Sequence, residues 1–131
     1  MISAQNDQPA FRTLFSDGRH EAYADTTADK GGSGAGFRPH DLLEAALATC
    51  LNMEVRIYAT HHGVPLSEVH TEVRLDRSQA GETIFEYAIR LEGPLSEAQR
   101  QKLLQVAKAC SVHKTLSKRL SFRQIAAPLR D

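Results

Sequence analysis

The sequence has 131 residues, of which 41% are apolar and 24% are charged, a composition typical of one ordinary globular domain. Lys and Arg total 16 and Asp and Glu total 16, which argues against nucleic acid as the main partner, because phosphate binding needs a basic surplus. No apolar amino-terminal segment indicates export or membrane anchoring, so we expect a cytoplasmic protein. Two cysteines do not suggest a secreted disulfide framework, and buried or reactive thiols are the better interpretation.

The amino-terminal part of the chain is predicted to contain a hairpin and a glycine-rich loop. Residues 1–9 are polar and are expected to be flexible. Residues 11–15 and 19–24 are predicted to be two strands joined by a Ser-Asp-Gly turn. Residues 26–36, TTADKGGSGAG, follow as a loop. A phosphate cradle is the alternative for these glycines. However, no Gly-Lys-Ser/Thr ending follows them and no apolar strand precedes them, so a plain loop is favoured.

The central segment, residues 38–62 (RPHDLLEAALATCLNMEVRIYATHH), is predicted to form one long helix with Cys50 near its middle. Between residues 42 and 51 almost every side chain is apolar, which predicts a helix buried on nearly every side. We expect the buried stripe to continue through Met53, Ile57 and Tyr58. Gly63 is predicted to end the helix in a left-handed conformation. The apolar run is too short to span a bilayer.

Two alternating segments and a second helix follow. Residues 67–76 and 83–91 alternate apolar and polar side chains, which predicts two half-buried strands in an antiparallel hairpin. Ser96 and Gln99 have the spacing of a capping box, so we expect a helix to start there. The side chains predicted to face the core from this helix are Leu103, Val106, Ala107 and Cys110.

The last elements complete the predicted fold. Ser111 is expected to cap a short third helix, and residues 120–125 are predicted to form a final strand. The resulting order predicts an α+β chain in which antiparallel sheet covers helices. No long linker divides the sequence, so residues 1–131 are predicted to be a single domain. Because long strands on a small chain leave edges to be paired, we expect a homodimer.

The two cysteines are the residues best suited to carry chemistry, because each of two predicted helices delivers one to its core side. Cys50 lies in an apolar helix, where burial raises the pKa of a thiol unless a cation lies close. Cys110 precedes a helix start, with Lys108, His113 and Lys114 nearby, which favours a lowered thiol pKa. Core filling is the alternative for both, since free cysteine is among the most buried residue types.

Metal binding is the competing use of these residues. His113 lies three residues after Cys110, a workable ligand spacing, whereas His61 and His62 are adjacent and their side chains diverge on a helix. The sequence contains no paired CxxC or HExxH pattern. It also lacks the GxSxG elbow that would support a Ser-His-Asp site. We therefore expect neither a metal ion nor a cofactor.

Two sequence motifs carry a family resemblance. The run RPHDLLEAALATCLNM resembles the first cysteine helix of the OsmC/Ohr family, the osmotically inducible protein C and organic hydroperoxide resistance proteins. The run ACSVHKTL resembles the second cysteine segment of that family, which usually reads close to CPVHKTL or CPVSKAL. The hairpin between the two runs and the position of GGSGAG also fit. The resemblance covers residues 10–127, and both motifs at this separation are specific for the family.

The resemblance implies both a fold and an activity. The fold would have antiparallel sheets wrapped around two core helices in an intertwined homodimer, with two active sites between the subunits. The activity would be that of a thiol-dependent peroxidase, in which Cys50 attacks the O–O bond of an organic hydroperoxide and becomes a sulfenic acid. Cys110 would then form a disulfide with Cys50. A dithiol reductant, lipoyl-linked in some members, would restore both thiols.

The sequence departs from the family's peroxidases near the first motif. In those enzymes a glutamate directly after the motif's proline holds an arginine that activates the attacking cysteine. Here His40 occupies that position and Asp41 follows it, as in another OsmC-like branch. The candidates for the arginine are Arg12, Arg19 and Arg38, and Ser111 replaces the usual proline after the second cysteine. We therefore expect a slower peroxide reaction. The alternative is a binding module that holds an apolar or thiol-reactive ligand at the dimer interface without turnover.

Overall fold

The computed structural model describes residues 1–126, which divide between two compact units. The first unit comprises Met1–Leu43 together with the residues that begin at Phe122, and the second comprises Glu44–Ser121. The regular elements of the described residues are helices and strands paired in antiparallel sheets, so the predicted α+β class is confirmed. The assignment of residues 1–131 to a single domain stays a prediction.

Three short antiparallel strands build the first unit: β1 (Ser3–Asn6), β2 (Thr13–Ser16) and β3 (Glu21–Ala24), in the order β1-β2-β3. The predicted hairpin is confirmed as β2 and β3. Residues 1–9 were expected to be flexible, yet they contain β1, which pairs with β2 over its whole length. The backbone N–H and C=O groups of this polar segment pair with those of β2, and this pairing does not require apolar side chains.

The glycine-rich loop is organised by Asp25, whose exposed fraction is only 3%. Its carboxylate accepts hydrogen bonds from the backbone N–H groups of Thr26, Ser33 and Ala35 and from the Ser33 hydroxyl. Gly32 lies so close to the turn that a Cβ there would be 2.1 Å from the Thr26 carbonyl oxygen. The loop N–H groups that a phosphate site would need therefore already donate to the carboxylate of Asp25, which supports the plain-loop interpretation.

Helix α1 (Pro39–His61) is the predicted central helix. At its start, the backbone N–H of Arg38 donates to the Asp41 carboxylate at 2.9 Å, and the Arg38 guanidinium pairs with the same group. At its end, Gly63 has a φ of 60°, as predicted. Within residues 1–126, no helix is both long and apolar enough to cross a bilayer.

One face of α1 is buried, and the opposite face is not. The buried side chains recur every four residues: Leu47, Leu51, Val55 and Ala59. The prediction that Met53 and Ile57 continue the buried stripe is wrong, because their exposed fractions are 55% and 51%. At about 100° per residue, each lies roughly half a turn away from Val55. Apolar composition alone did not reveal which face packs inward.

The second unit also contains a long hairpin and two further helices. Strands β4 (Glu68–Asp76) and β5 (Ile84–Glu92) pair antiparallel along their full length, as predicted. Helix α2 (Glu97–Ala107) starts at Ser96, which forms the predicted capping box with Gln99. The core contributed by these elements and α1 includes Val69, Val73, Phe85, Ile89, Leu91, Leu103 and Ala107.

Helix α3 (Ser111–Leu116) is capped differently from the prediction. Its N-cap is Cys110, whose sulfur accepts a hydrogen bond from the backbone N–H of His113, and Ser111 is the first helical residue. The predicted last strand is also wrong. Residues 120–125 adopt no regular structure, and Phe122 is 98% exposed. Apolar alternation makes a strand only where a neighbouring strand can pair with it.

Candidate active site

Two elements of the second unit carry the cysteines. Cys50 lies on α1 beside the buried Leu51 and is itself half-buried. Cys110 follows α2 and caps α3, and its exposed fraction is 0%. Neither cysteine is in a disulfide. The first thiol is therefore reachable from solvent, and the second is covered by the core.

The start of α3 surrounds the Cys50 sulfur with hydrogen-bond donors. The Ser111 hydroxyl oxygen lies 3.7 Å from Cys50 Sγ. Hydrogen bonding from the backbone N–H groups of Ser111 and Val112 and from the thiol of Cys110 also lowers the pKa of Cys50. The two thiols thus influence each other's pKa. Cys110 in turn accepts from the backbone N–H of His113 at 3.3 Å.

These contacts give Cys50 an acidic thiol. Burial is the largest single influence, and it acts to raise the pKa. Hydrogen bonds from the Val112 N–H, from the Cys110 thiol and from the hydroxyl and N–H of Ser111 lower the pKa instead. Together they outweigh burial, so the pKa of Cys50 lies below that of an ordinary thiol. The expected requirement for a nearby cation is thus met in part by neutral hydrogen-bond donors.

The thiol of Cys110 is shifted the other way. Burial raises its pKa most, and the hydrogen bond to Cys50 and the negative charge of a Cys50 thiolate raise it further. The N–H of His113 acts against this without reversing it. The prediction that Cys110 is the more acidic thiol is therefore wrong. That prediction relied on Lys108 and Lys114, which are near Cys110 in sequence. The hydrogen-bond donors at the start of α3 instead lower mainly the pKa of Cys50.

Side-chain hydrogen bonds fix α1 against β4 on both sides of Cys50. The Thr71 hydroxyl donates to the carbonyl oxygen of Ala48 at 2.9 Å, and the Asn52 amide donates to the carbonyl oxygen of Val69 at 3.0 Å. One turn earlier on the helix, Glu44 accepts from the backbone N–H of Leu75 at 2.8 Å. These contacts set the position of Cys50 along the helix axis relative to the hairpin.

A small cavity of about 100 Å³ lies beside the α3 segment. Its walls come from α1, β5 and α3: Leu47, Phe85, Tyr87, His113, Leu116 and Ser117. The His113 ring meets Tyr87 edge-on, with 6.2 Å between ring centroids, and its Nδ1 lies 3.4 Å from the Ser117 hydroxyl. The side chain of His113 therefore packs along this cavity, while its backbone supports Cys110.

The remaining candidate residues lie in the first unit. Arg12 pairs with Asp7 and stacks over the Tyr23 ring, and the backbone of Arg19 donates to Asp17 in the β2–β3 turn. Arg38 pairs with Asp41, and hydrogen bonds from Arg38 hold the pKa of the Asp41 carboxyl below its usual value. His40 sits in the first turn of α1. Activation of Cys50 by one of these arginines stays a prediction.

The sequence interpretation did not assign the donors of Ser111 and Val112 to Cys50. Two of these donors are backbone N–H groups, which carry no side-chain signature. The hydroxyl of Ser111 had a signal, because a serine stands where the second motif usually has proline, but the partner 61 residues away was not apparent. Among residues 1–126, no three His, Cys, Asp or Glu side chains gather in a way that could hold a metal ion.

The chain is similar to one known protein family in sequence and to solved structures in fold. The family model described as OsmC-like protein matches residues 31–123. No curated protein sequence matches that of this chain.

The fold is similar to three solved structures. An OsmC-like protein from Mycoplasma pneumoniae has a TM-score of 0.74 at 20% identity, over 88% of this chain and 85% of that one. A Psychrobacter arcticus protein with a proposed role in osmotic stress and detoxification has 0.72 at 23% identity, over 87% and 85%. The organic hydroperoxide resistance protein OsmC of Legionella pneumophila has 0.64 at 20% identity, over 89% and 88%.

Proposed function

Because the chain belongs to the OsmC-like protein family, we propose that it is a thiol-dependent peroxidase that reduces organic hydroperoxides to alcohols. One observation carries the proposal: the pKa of Cys50 is lowered and that of Cys110 is raised, and hydrogen bonding between the two thiols is among the causes of both shifts. A two-cysteine redox cycle needs one thiol that ionises more readily than its partner, and these shifts supply that difference. The name of the Legionella pneumophila protein supports this choice of substrate.

In the first step, the Cys50 thiolate attacks the terminal oxygen of the hydroperoxide. The O–O bond breaks, the sulfur retains the hydroxyl group as a sulfenic acid, and the alkoxide takes a proton and leaves as the alcohol. The sulfur loses two electrons and the peroxide gains them. Hydrogen bonds from Ser111 and Val112 hold the thiolate in place before the attack.

In the second step, Cys110 attacks the sulfenic sulfur of Cys50, a disulfide forms and water leaves. The pKa of Cys110 depends on whether Cys50 is a thiolate or a sulfenic acid. While Cys50 is a thiolate, its charge and its hydrogen bond help keep Cys110 protonated. Oxidation to a neutral sulfenic acid removes that charge, so Cys110 loses a proton more easily once its partner is ready to be attacked.

The cycle closes when an external dithiol reduces the Cys50–Cys110 disulfide by thiol–disulfide exchange. A lipoyl-linked dithiol is the reductant that we propose. The protein's own chemistry then needs no bound cofactor, since both electrons come from the reductant through the two cysteines. We place this reaction in the cytoplasm, where thiols are kept reduced.

The acting form that we propose is an intertwined homodimer. Met53 and Ile57 leave an exposed apolar strip on α1, next to a groove that also involves Arg56, Thr60 and His61. Exposed apolar patches of this kind favour association with another protein surface. A second copy of the chain would cover the strip.

A binding module is the second candidate function. In this case the site would hold an apolar or thiol-reactive ligand at the dimer interface without turnover. The observation that favours it is His40, which stands where the family's peroxidases have the glutamate that holds the activating arginine. A half-buried thiolate can react with a bound electrophile even when it does not turn over a peroxide.

A turnover assay separates the two functions. Purified protein is mixed with cumene hydroperoxide and excess dihydrolipoamide, and peroxide consumption is followed. A peroxidase consumes many equivalents per subunit, Cys50→Ser consumes none, and Cys110→Ser loses turnover supported by the dithiol. If wild-type protein consumes no peroxide, yet cumyl alcohol binds and protects Cys50 from alkylation, the binding-module function replaces the peroxidase.

A further inference from the structure

We propose that Ser111 is a further catalytic residue of this site, whose side-chain hydroxyl holds the reacting sulfur of Cys50 by a hydrogen bond. The inference rests on the function proposed above, because it concerns the state of the thiol that attacks the peroxide. It assigns this role to a residue 61 positions away from Cys50 in sequence.

The geometry places the hydroxyl of Ser111 at the sulfur of Cys50. The hydroxyl oxygen is 3.7 Å from Cys50 Sγ, a hydrogen-bonding distance for the large sulfur atom. The backbone N–H belongs to the first residue of α3, where no carbonyl of the same helix is available to accept it. As a hydrogen-bond donor, this N–H is one of the causes that lower the pKa of Cys50. One residue therefore supplies a side-chain donor and a main-chain donor together.

The hydroxyl is available for this contact because helix capping does not use it. A serine at a helix start commonly accepts a hydrogen bond from the backbone two or three residues later. Here Cys110 fills that role, since its sulfur accepts from the N–H of His113. Ser111 lies one position further along the chain, and its side chain turns to Cys50. Its interaction with the reacting sulfur is thus not a by-product of capping.

The need for these donors comes from the burial of Cys50. Burial opposes the negative charge of a thiolate and would leave the thiol protonated and unreactive. Hydrogen bonds to an ionised acceptor are stronger than those between neutral groups, so donors at Cys50 favour the thiolate over the thiol. Both donors of Ser111 act in this direction.

The test is the pH dependence of Cys50 alkylation by iodoacetamide, measured on the Cys50 peptide by mass spectrometry. Ser111→Ala removes the hydroxyl alone. Ser111→Pro removes the hydroxyl and the N–H together, and the first helical position tolerates proline. We expect the alkylation rate at neutral pH to fall about threefold for Ser111→Ala, the size of one hydrogen bond, and further for Ser111→Pro. Ser111→Thr keeps both donors and should restore the wild-type midpoint.

Thr49→Ala is the matched control, because it removes an exposed hydroxyl next to Cys50 along α1 that bonds only to the carbonyl oxygens of Ala45 and Ala46. Its Cys50 midpoint should stay at the wild-type value. An unchanged midpoint in Ser111→Ala and Ser111→Pro would overturn the inference. If the proline variant fails to fold, the alanine variant decides. No peroxide is used, so absence of peroxidase activity would defeat the proposed function and leave this result intact.

Discussion

Asn52 lies two residues after Cys50 on α1, and its side-chain amide donates a hydrogen bond of 3.0 Å to the backbone carbonyl oxygen of Val69. Two residues before Cys50, the carbonyl oxygen of Ala48 accepts from the Thr71 hydroxyl at 2.9 Å. Cys50, the cysteine that we propose reacts, therefore lies between two side-chain contacts that join α1 to the same strand. Such contacts hold a reactive atom within the narrow positional range that catalysis requires.

Removal of the Thr71 hydroxyl should weaken this attachment. Thr71→Val keeps the shape of the side chain and removes its hydrogen bond to Ala48, so we expect the free energy of unfolding to fall by about 1 kcal/mol. The measurement is chemical denaturation followed by circular dichroism. Thr49→Val is the matched control, because the Thr49 hydroxyl is exposed and bonds only within its own helix, to Ala45 and Ala46. Equal losses in the two variants would contradict a tethering role for Thr71.

The rate of the first oxidation step should depend on pH in the direction that the lowered pKa of Cys50 dictates. The thiolate is the attacking form, so the rate falls as pH decreases through the pKa of Cys50 and is level above it. Because that pKa lies below the ordinary thiol value, the plateau should begin at a lower pH than for free cysteine. Stopped-flow oxidation with tert-butyl hydroperoxide over a pH series measures this. A midpoint above that of free cysteine would contradict the lowered pKa.

The exposed strip on α1 should be covered in solution by a second copy of the chain. We expect wild-type protein to be a homodimer by light scattering at low micromolar concentration, and Met53→Glu with Ile57→Glu to shift it to monomer, because a charge in an apolar interface is costly. Ile84→Glu is the control, since it places the same charge on an exposed apolar residue of the hairpin. A monomeric wild-type protein with full helix content would argue against the dimer.

Local signals accounted for most of the fold. Gly63 ends α1 and Ser96 starts α2 as predicted, because each needs only its neighbours along the chain. The β4–β5 hairpin followed from alternation for the same reason. In contrast, Ile57 and residues 120–125 were misassigned, since the burial of one helix face, and the pairing of a strand outside a hairpin, depend on partners that local apolar content does not identify.

The sequence also predicted the candidate site only in part. The motifs predicted Cys50 and Cys110 as the site residues, and each of these thiols shifts the pKa of the other. The order of their pKa values was not accessible from sequence, because it depends on which sulfur faces the donors at the start of α3. Cys110 is adjacent to those donors along the chain, whereas Cys50 receives the hydrogen bonds of Ser111 through space.

Sulfenic acid trapping tests the central claim, that Cys50 is the thiol that attacks the peroxide and Cys110 the one that resolves it. Each single-cysteine variant is treated with cumene hydroperoxide in the presence of dimedone and mapped by peptide mass spectrometry. We predict a dimedone adduct on Cys50 in Cys110→Ser, where no second thiol can consume the sulfenic acid, and no adduct on Cys110 in Cys50→Ser. An adduct on Cys110 in Cys50→Ser, with none on Cys50 in Cys110→Ser, would reverse the two roles and contradict the account.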